Sequence, residues 1–202
     1  MSTLLFVNAC PRGEDSRTLR LARTFLGSAL RDCPDTRVIR HDLYQMNLRP
    51  VNADDLAKKE ALCDRLAWDD PSMAPALAFA RADAVLIAAP YWDLSFPSAL
   101  KIWVEHMYVR NLTFRYENDR PIGLCSGRAS CYITTSGSLI GENDWGAGYL
   151  RAVLQTLGIP GFASFRAEAL DLDGSDEKEI LLRAEEDMKK AAPAWVRSWH
   201  EA

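Results

Sequence analysis

Ala84-Val85-Leu86-Ile87-Ala88-Ala89, followed by Pro90-Tyr91-Trp92-Asp93-Leu94-Ser95-Phe96-Pro97, is the stretch that decides the fold. Six apolar residues in a row, ended by a proline, read as a short strand buried on both faces, as in a parallel sheet covered by helices. A strand with one wet face would alternate apolar and polar residues, and this one does not. Pro97 suits the first turn of a helix whose Leu100, Trp103, Val104, Met107 and Tyr108 share one face. The unit is strand, loop, helix.

The same unit recurs on either side. Residues 3–8 form an almost wholly apolar run, followed by the turn Ala9-Cys10-Pro11-Arg12-Gly13-Glu14-Asp15. Ser16 then looks like an N-cap, and Leu19, Ala22, Leu26, Ala29 and Leu30 repeat at helical spacing. Residues 36–41 read as a second strand. Residues 54–67 and 73–81 read as two helices broken at Asp69-Asp70-Pro71-Ser72. After a polar excursion through Asn118-Asp119-Arg120-Pro121, residues 130–135 make a fourth strand. A Gly/Ser loop leads to a helix carrying Leu150, Val153, Leu154 and Leu157, closed by Gly158. Residues 162–169 are the fifth strand. The last helix begins near Ser175 and stacks Leu181, Ala184, Met188 and Ala191, and Pro193 is expected to break or kink its final turns. Five strands separated by helices predict a three-layer α/β sandwich around a five-stranded parallel sheet, joined by right-handed crossovers. One domain is expected over residues 1–202, without repeats or linkers.

Composition narrows the partners. A net charge of −4 with scattered Lys and Arg argues against nucleic acid and against an anionic membrane surface, since both call for a basic patch. The apolar run at the amino terminus ends by Asn8, too short for a signal-peptide core, and no stretch approaches the roughly 18 residues of a membrane helix. The expected location is the cytoplasm. Cys10, Cys33, Cys63, Cys125 and Cys131 are odd in number and form no Cys-x-x-Cys pair, which points to reduced thiols rather than a disulfide framework. His41, His106 and His200 are as dispersed, and no metal site is expected.

Ligands of open α/β sheets bind outside the carboxyl ends of the strands, near the point where strand order reverses. The loops after strands one, three and four are therefore the candidates. The first lacks both G-x-G-x-x-G and G-x-x-x-x-G-K-[ST]. It delivers Ser16-Arg17-Thr18 to a helix start, where free N–H groups and two hydroxyls suit a phosphate. Ser16 serves equally as a plain cap. The nearby Glu14 and Asp15 would repel an anion unless they point away. Tyr91 and Trp92 offer a flat wall for a planar ring, with backbone groups free to bond its edge; packing in a core or dimer is the other use of such a pair. Thr135-Ser136-Gly137-Ser138 lets N–H groups approach a ligand closely, or is simply a turn. Three such loops on one sheet edge point to a planar, phosphorylated cofactor.

Ala88-Ala89-Pro90-Tyr91-Trp92-Asp93, the helix entry Ser98-Ala99-Leu100-Lys101, and Leu112-Thr113-Phe114-Arg115-Tyr116 with Gly123-Leu124 and Gly127-Arg128 resemble the FMN-dependent NADH–azoreductases and related quinone reductases of the flavodoxin-like fold. The similarity runs over nearly the whole chain. It implies a flavodoxin-like sandwich, FMN as cofactor, NADH or NADPH as electron donor, and a quinone, azo or nitro compound as acceptor. By position it implies that Cys10, Ser16, Arg17 and Thr18 hold the phosphate. Tyr91, Trp92, Asp93 and Leu94 would line the flavin ring, and Thr135, Ser136, Gly137 and Ser138 would close its other side. It also implies a homodimer with the flavin between subunits, which would account for the long 42–82 segment.

Three positions depart from the family's habit. Cys10 stands where a hydroxyl residue is usual, Asp93 where Asn is common, and Ser138 where glycine is usual. A thiol is a poorer phosphate donor and would make retention of the cofactor sensitive to oxidation. An ionised Asp93 would disfavour the reduced flavin and lower its potential. Ser138 would restrict the backbone.

The resemblance implies two-electron ping-pong transfer in which the cofactor performs the chemistry, so no catalytic acid or base is assigned. Tyr91, Tyr149, Glu142 and Asp144 are the candidates for a proton relay. Other uses of the same fold stay open: a flavin reductase or nitroreductase-like enzyme, an electron carrier, or a sensor without flavin.

Overall fold

The computed structural model describes residues 2–200. In chain order its elements are β1 (Thr3–Asn8), α1 (Arg17–Asp32), β2 (Arg37–Asp42), α2 (Ala53–Asp64), α3 (Ala74–Arg81), β3 (Ala84–Ala88), α4 (Ser98–Met107), β4 (Phe114–Glu117), β5 (Arg120–Gly123), β6 (Ala129–Thr135), α5 (Trp145–Thr156), β7 (Gly161–Ala167) and α6 (Glu177–His200). Short 3-10 turns at Gly13–Asp15 and Pro71–Met73 precede α1 and α3.

β1, β2, β3, β6 and β7 pair in parallel in the order β2-β1-β3-β6-β7. Along β3 the side chains alternate between two separate cores. Val85 and Ile87 join Trp103 of α4, Phe79 of α3 and Leu150 of α5 on one face. Ala84, Leu86 and Ala88 join Phe25 of α1 and Trp195 of α6 on the other. Both faces are dry, which is why the strand reads as an unbroken apolar run. The chain runs from β1 out to β2 and returns across β1 to β3, so strand order reverses between β1 and β3. Their carboxyl ends carry the first two candidate loops.

Several expectations change at the element ends. Pro97 precedes α4 as its N-cap rather than standing inside its first turn. The polar excursion is a β-hairpin: β4 and β5 pair antiparallel around Asn118 and Asp119, whose φ of 50° and 60° make a two-residue turn of type I′ character. Pro193 does not end the last helix, because α6 continues to His200. Trp195, Val196 and Trp199, beyond the proline, are all buried against α1 and the sheet. Burying such side chains contributes about 1.5–3 kcal/mol each, which outweighs a proline's cost of about 3 kcal/mol.

A buried histidine sits in the first of these cores. His41 of β2 is 5% exposed, and its Nδ1 accepts a hydrogen bond of 3.1 Å from Trp103 Nε1. Burial pulls its pKa down from 6.5 to about 4. The unfolded chain therefore binds the proton first, and stability falls as the pH drops through the window between those values. Denaturant titrations are expected to show constant stability above pH 7 and a loss of about 2 kcal/mol by pH 5 from this residue. In a His41→Asn variant, whose amide oxygen can still accept from Trp103, that part of the acid sensitivity should disappear.

Candidate active site

Three loops leave the carboxyl edge of the sheet around the reversal point and close on one cavity of about 500 Å³. Its lining includes Ser16, Arg17 and Thr18 from the start of α1, Tyr91, Trp92, Asp93 and Leu94 after β3, and Thr135, Ser136, Gly137 and Ser138 at the end of β6. Of the twelve residues expected to hold the cofactor, only Cys10 stays outside. Its thiol donates to the Ala88 carbonyl at 3.6 Å, its N–H donates to Asn8 Oδ1 at 3.1 Å, and it is 2% exposed. Burial pushes the thiol up to about 11. The thiol is turned into the core and raised away from the reactive thiolate range, so it does not line the cavity with the other eleven residues.

The first loop is braced from within. Ser16 caps α1, its Oγ accepting from Leu19 N–H at 3.2 Å. Thr18 Oγ1 lies 2.6 Å from Thr135 Oγ1 in a buried contact that ties α1 to the end of β6. Arg17 forms a bidentate pair with Asp171, at 2.7 and 3.1 Å. The N–H groups of Arg17 and Thr18 meet no acceptor among the described residues, as expected for a helix start. Glu14 is turned away onto Arg23, and neither it nor Asp15 lines the cavity.

The second loop is a tight reversal. Trp92 and Ser95 exchange both backbone hydrogen bonds, at 3.2 and 2.7 Å, around Asp93 (φ 49°) and Leu94 (φ 65°). That is the geometry of a type I′ turn, which favours Asn, Asp or Gly at its first central position. Asp93 suits the turn as Asn would. Leu94 has no such excuse: its left-handed backbone costs about 1–2 kcal/mol, and its side chain stands largely exposed over the cavity. Strain held at a cavity wall is a mark of a ligand-shaped loop. The N–H groups of Asp93 and Leu94 meet no acceptor among the described residues.

The third loop carries a glycine for a steric reason. A Cβ on Gly137 would lie 2.2 Å from Asp171 Oδ2. Ser138, by contrast, lies outside the left-handed region, so its side chain is accommodated without strain. Its N–H donates to Ser136 Oγ at 3.2 Å.

Sequence reasoning missed Pro11, Arg12, Pro90 and Asp171, which also line the cavity. Arg12 and the two prolines lie inside loops already in view. Asp171 follows β7, whose loop was not among those considered. The relay candidates separate: Tyr91 lines the cavity, whereas Glu142, Asp144 and Tyr149 do not. Asp144 caps α5 by accepting from Ala147 N–H at 2.8 Å. No cluster of His, Cys, Asp and Glu among the described residues is arranged to hold a metal, and none of their helices is long and apolar enough to cross a membrane.

Aromatic wall, glycine turn and unpaired N–H donors around one cavity form a donor set that fits a planar ring carrying a phosphate. Comparison with known proteins points the same way. The family described as Flavodoxin-like fold matches residues 2–192. An FMN-dependent NADH:quinone oxidoreductase 2 of Clostridium perfringens is 31% identical over 194 residues, spanning 95% of this chain and 96% of that protein. Its namesake from Clostridium acetobutylicum is 32% identical over 199 residues, spanning 95% and 98%. Among solved structures, an azoreductase from Bacillus anthracis superposes with a TM-score of 0.85 at 21% identity, covering 96% of this chain and all of that one. An FMN-dependent NADH-azoreductase of the same species, solved in complex with FMN, gives 0.82 at 23% identity, covering 96% and 99%.

Proposed function

The chain belongs to the flavodoxin-like fold family, and from that premise we propose that it is an FMN-dependent oxidoreductase passing two electrons from NADH to a quinone or azo compound. The observation that carries this is the convergence on one cavity of three sheet-edge loops, two with unpaired N–H donors, one of those with an aromatic wall, and the third with a glycine. Both clostridial relatives are named FMN-dependent NADH:quinone oxidoreductases.

In this proposal the N–H groups of Arg17 and Thr18 meet the FMN phosphate at the positive end of α1. Tyr91, Trp92 and Leu94 flank the flavin ring, and the N–H groups of Asp93 and Leu94 bond its edge. The segment 135–138 closes the other side, with Gly137 allowing the backbone to approach. Bound FMN supplies the centre that accepts and returns the electron pair; the protein orients it and sets the field around it. Residues 1–202 act as one FMN-binding domain, working in the cytoplasm as a homodimer. Exposed Trp92 and Leu94 at the cavity, with Leu139 in the loop after β6 and Trp145 at the start of α5, supply apolar surface for the partner subunit.

The test is an absorbance spectrum of protein reconstituted with FMN, desalted, and treated with NADH without oxygen. Retained flavin that bleaches with NADH and recovers on adding a quinone is the expected result. Flavin that stays oxidised would fit an electron carrier or another donor. Loss of flavin on desalting would count against the cofactor itself.

A further inference from the structure

We propose that Arg12 supplies the charge that recognises the flavin phosphate, and that Arg17 of the Ser16-Arg17-Thr18 triplet is a positioning residue; this rests on the FMN assignment above. A phosphate monoester carries close to two negative charges at neutral pH, so a site made of neutral donors gains from one guanidinium fork. The question is which arginine has its charge to give.

Arg17 does not. Its guanidinium is gripped by both oxygens of Asp171 and lies 3.7 Å from Glu177, so two carboxylates already share it. Arg20 is paired with Glu185, and Arg23 with Glu14. The hydroxyls of the triplet are neutral donors only, Ser16 Oγ accepting from Leu19 N–H while keeping its own proton and Thr18 Oγ1 sharing one with Thr135 Oγ1. What the start of α1 offers an anion is neutral donors, its backbone N–H groups and the Ser16 hydroxyl, and no free charge.

Arg12 is different in each respect. It lines the cavity, is exposed, and forms no ion pair among the described residues. Its carbonyl accepts from Asp15 N–H at 3.2 Å, which seats it on the 3-10 turn just ahead of α1. Arg17's hydrogen bonds chiefly, with the charges of Arg17 and then Arg12 adding, hold the Asp171 carboxyl below its usual range. The two arginines therefore share one rim of the cavity, one bound into the fold and one free.

Affinities for FMN and for riboflavin, read by quenching of flavin fluorescence, separate phosphate recognition from ring recognition. Arg12→Ala is expected to weaken FMN by about tenfold or more, to leave riboflavin unchanged, and to flatten the dependence of FMN affinity on salt. Arg12→Lys should restore part of the loss, and the melting temperature should hold because the side chain has no partner to lose. Arg17→Ala should lower the melting temperature, which Arg12→Ala does not, and should reduce the FMN to riboflavin ratio less than Arg12→Ala does, because it loosens the helix-start N–H groups without removing a free charge. An FMN to riboflavin ratio that stays at its wild-type value in Arg12→Ala overturns the proposal, as does a ratio abolished by Arg17→Ala alone. Unchanged flavin affinity with a raised KM for NADH also overturns it, since Arg12 would then serve the dinucleotide's phosphates. Wild-type protein that binds neither flavin would sink the FMN assignment itself and this inference with it.

Discussion

Gly123→Ala is expected to cost about 3 kcal/mol or more of unfolding free energy, read as a fall in the denaturant midpoint at unchanged slope. Gly123 ends β5 and lies back to back with the turn after α5. A Cβ built there would sit 2.1 Å from Gly158 N, 2.2 Å from the Leu157 carbonyl carbon and 2.5 Å from Gly158 Cα. All three are backbone atoms, so no rotamer can relieve the contact. Gly158 cannot retreat easily either, since its φ of 101° already uses a conformation reserved for glycine. The neighbouring Cys125 N–H donates to the Leu157 carbonyl at 3.0 Å, which fixes the two segments to each other. Relief requires lifting the hairpin off α5. A variant within about 1 kcal/mol of wild type would mean that this seam opens at little cost and that the hairpin is only loosely docked.

Gly137→Ala is the largest effect expected on the site itself, a loss of FMN affinity on the order of a hundredfold. Its Cβ would meet not only Asp171 Oδ2 at 2.2 Å but Cγ at 3.0 Å and Cβ at 3.2 Å, so the whole Asp171 side chain must move. Moving it releases the bidentate grip on Arg17 at the first residue of α1. In the proposed binding mode the Arg17 and Thr18 N–H groups would then lose their alignment on the phosphate, and the 135–138 backbone would be pushed away from the ring. Fluorescence titration with FMN measures the effect. Asp171→Ala alone frees Arg17 without crowding the 135–138 loop, so it should lose less affinity than Gly137→Ala. Affinity within twofold of wild type in Gly137→Ala would mean that the closeness of this loop is not used in binding.

The legibility of the molecule follows the type of interaction involved. The five sheet strands and their helices could be read because parallel strands bury both faces and helices bury one, so each leaves a periodic apolar trace. The β4–β5 hairpin left no such trace: its strands are four residues long, mostly exposed, and interrupted by Pro121. The continuity of α6 through Pro193 was equally hidden, because local propensity favours a break and only the packing of Trp195 and Trp199 on α1 and the sheet opposes it. At the site, eleven of the twelve expected residues meet on one cavity, because position after a strand's carboxyl end is a matter of chain order. Cys10 failed that logic. Being in the right loop does not say which way a side chain turns, and this one turns into the core beneath Ala88.

From sequence alone, then, came the parallel sheet, the edge on which the chemistry sits and the family that these residues resemble. All three rest on local pattern and on order along the chain, which are properties of one dimension. Which charges are already spent was decided only in three dimensions. Arg17 is one residue from a cap and looks like the anion contact, yet Asp171, 154 residues further along, takes it. Arg12 looks like a turn residue and is left free at the cavity. A hydrogen bond or ion pair between distant segments depends on where the fold brings them, and no window of neighbouring residues contains that distance.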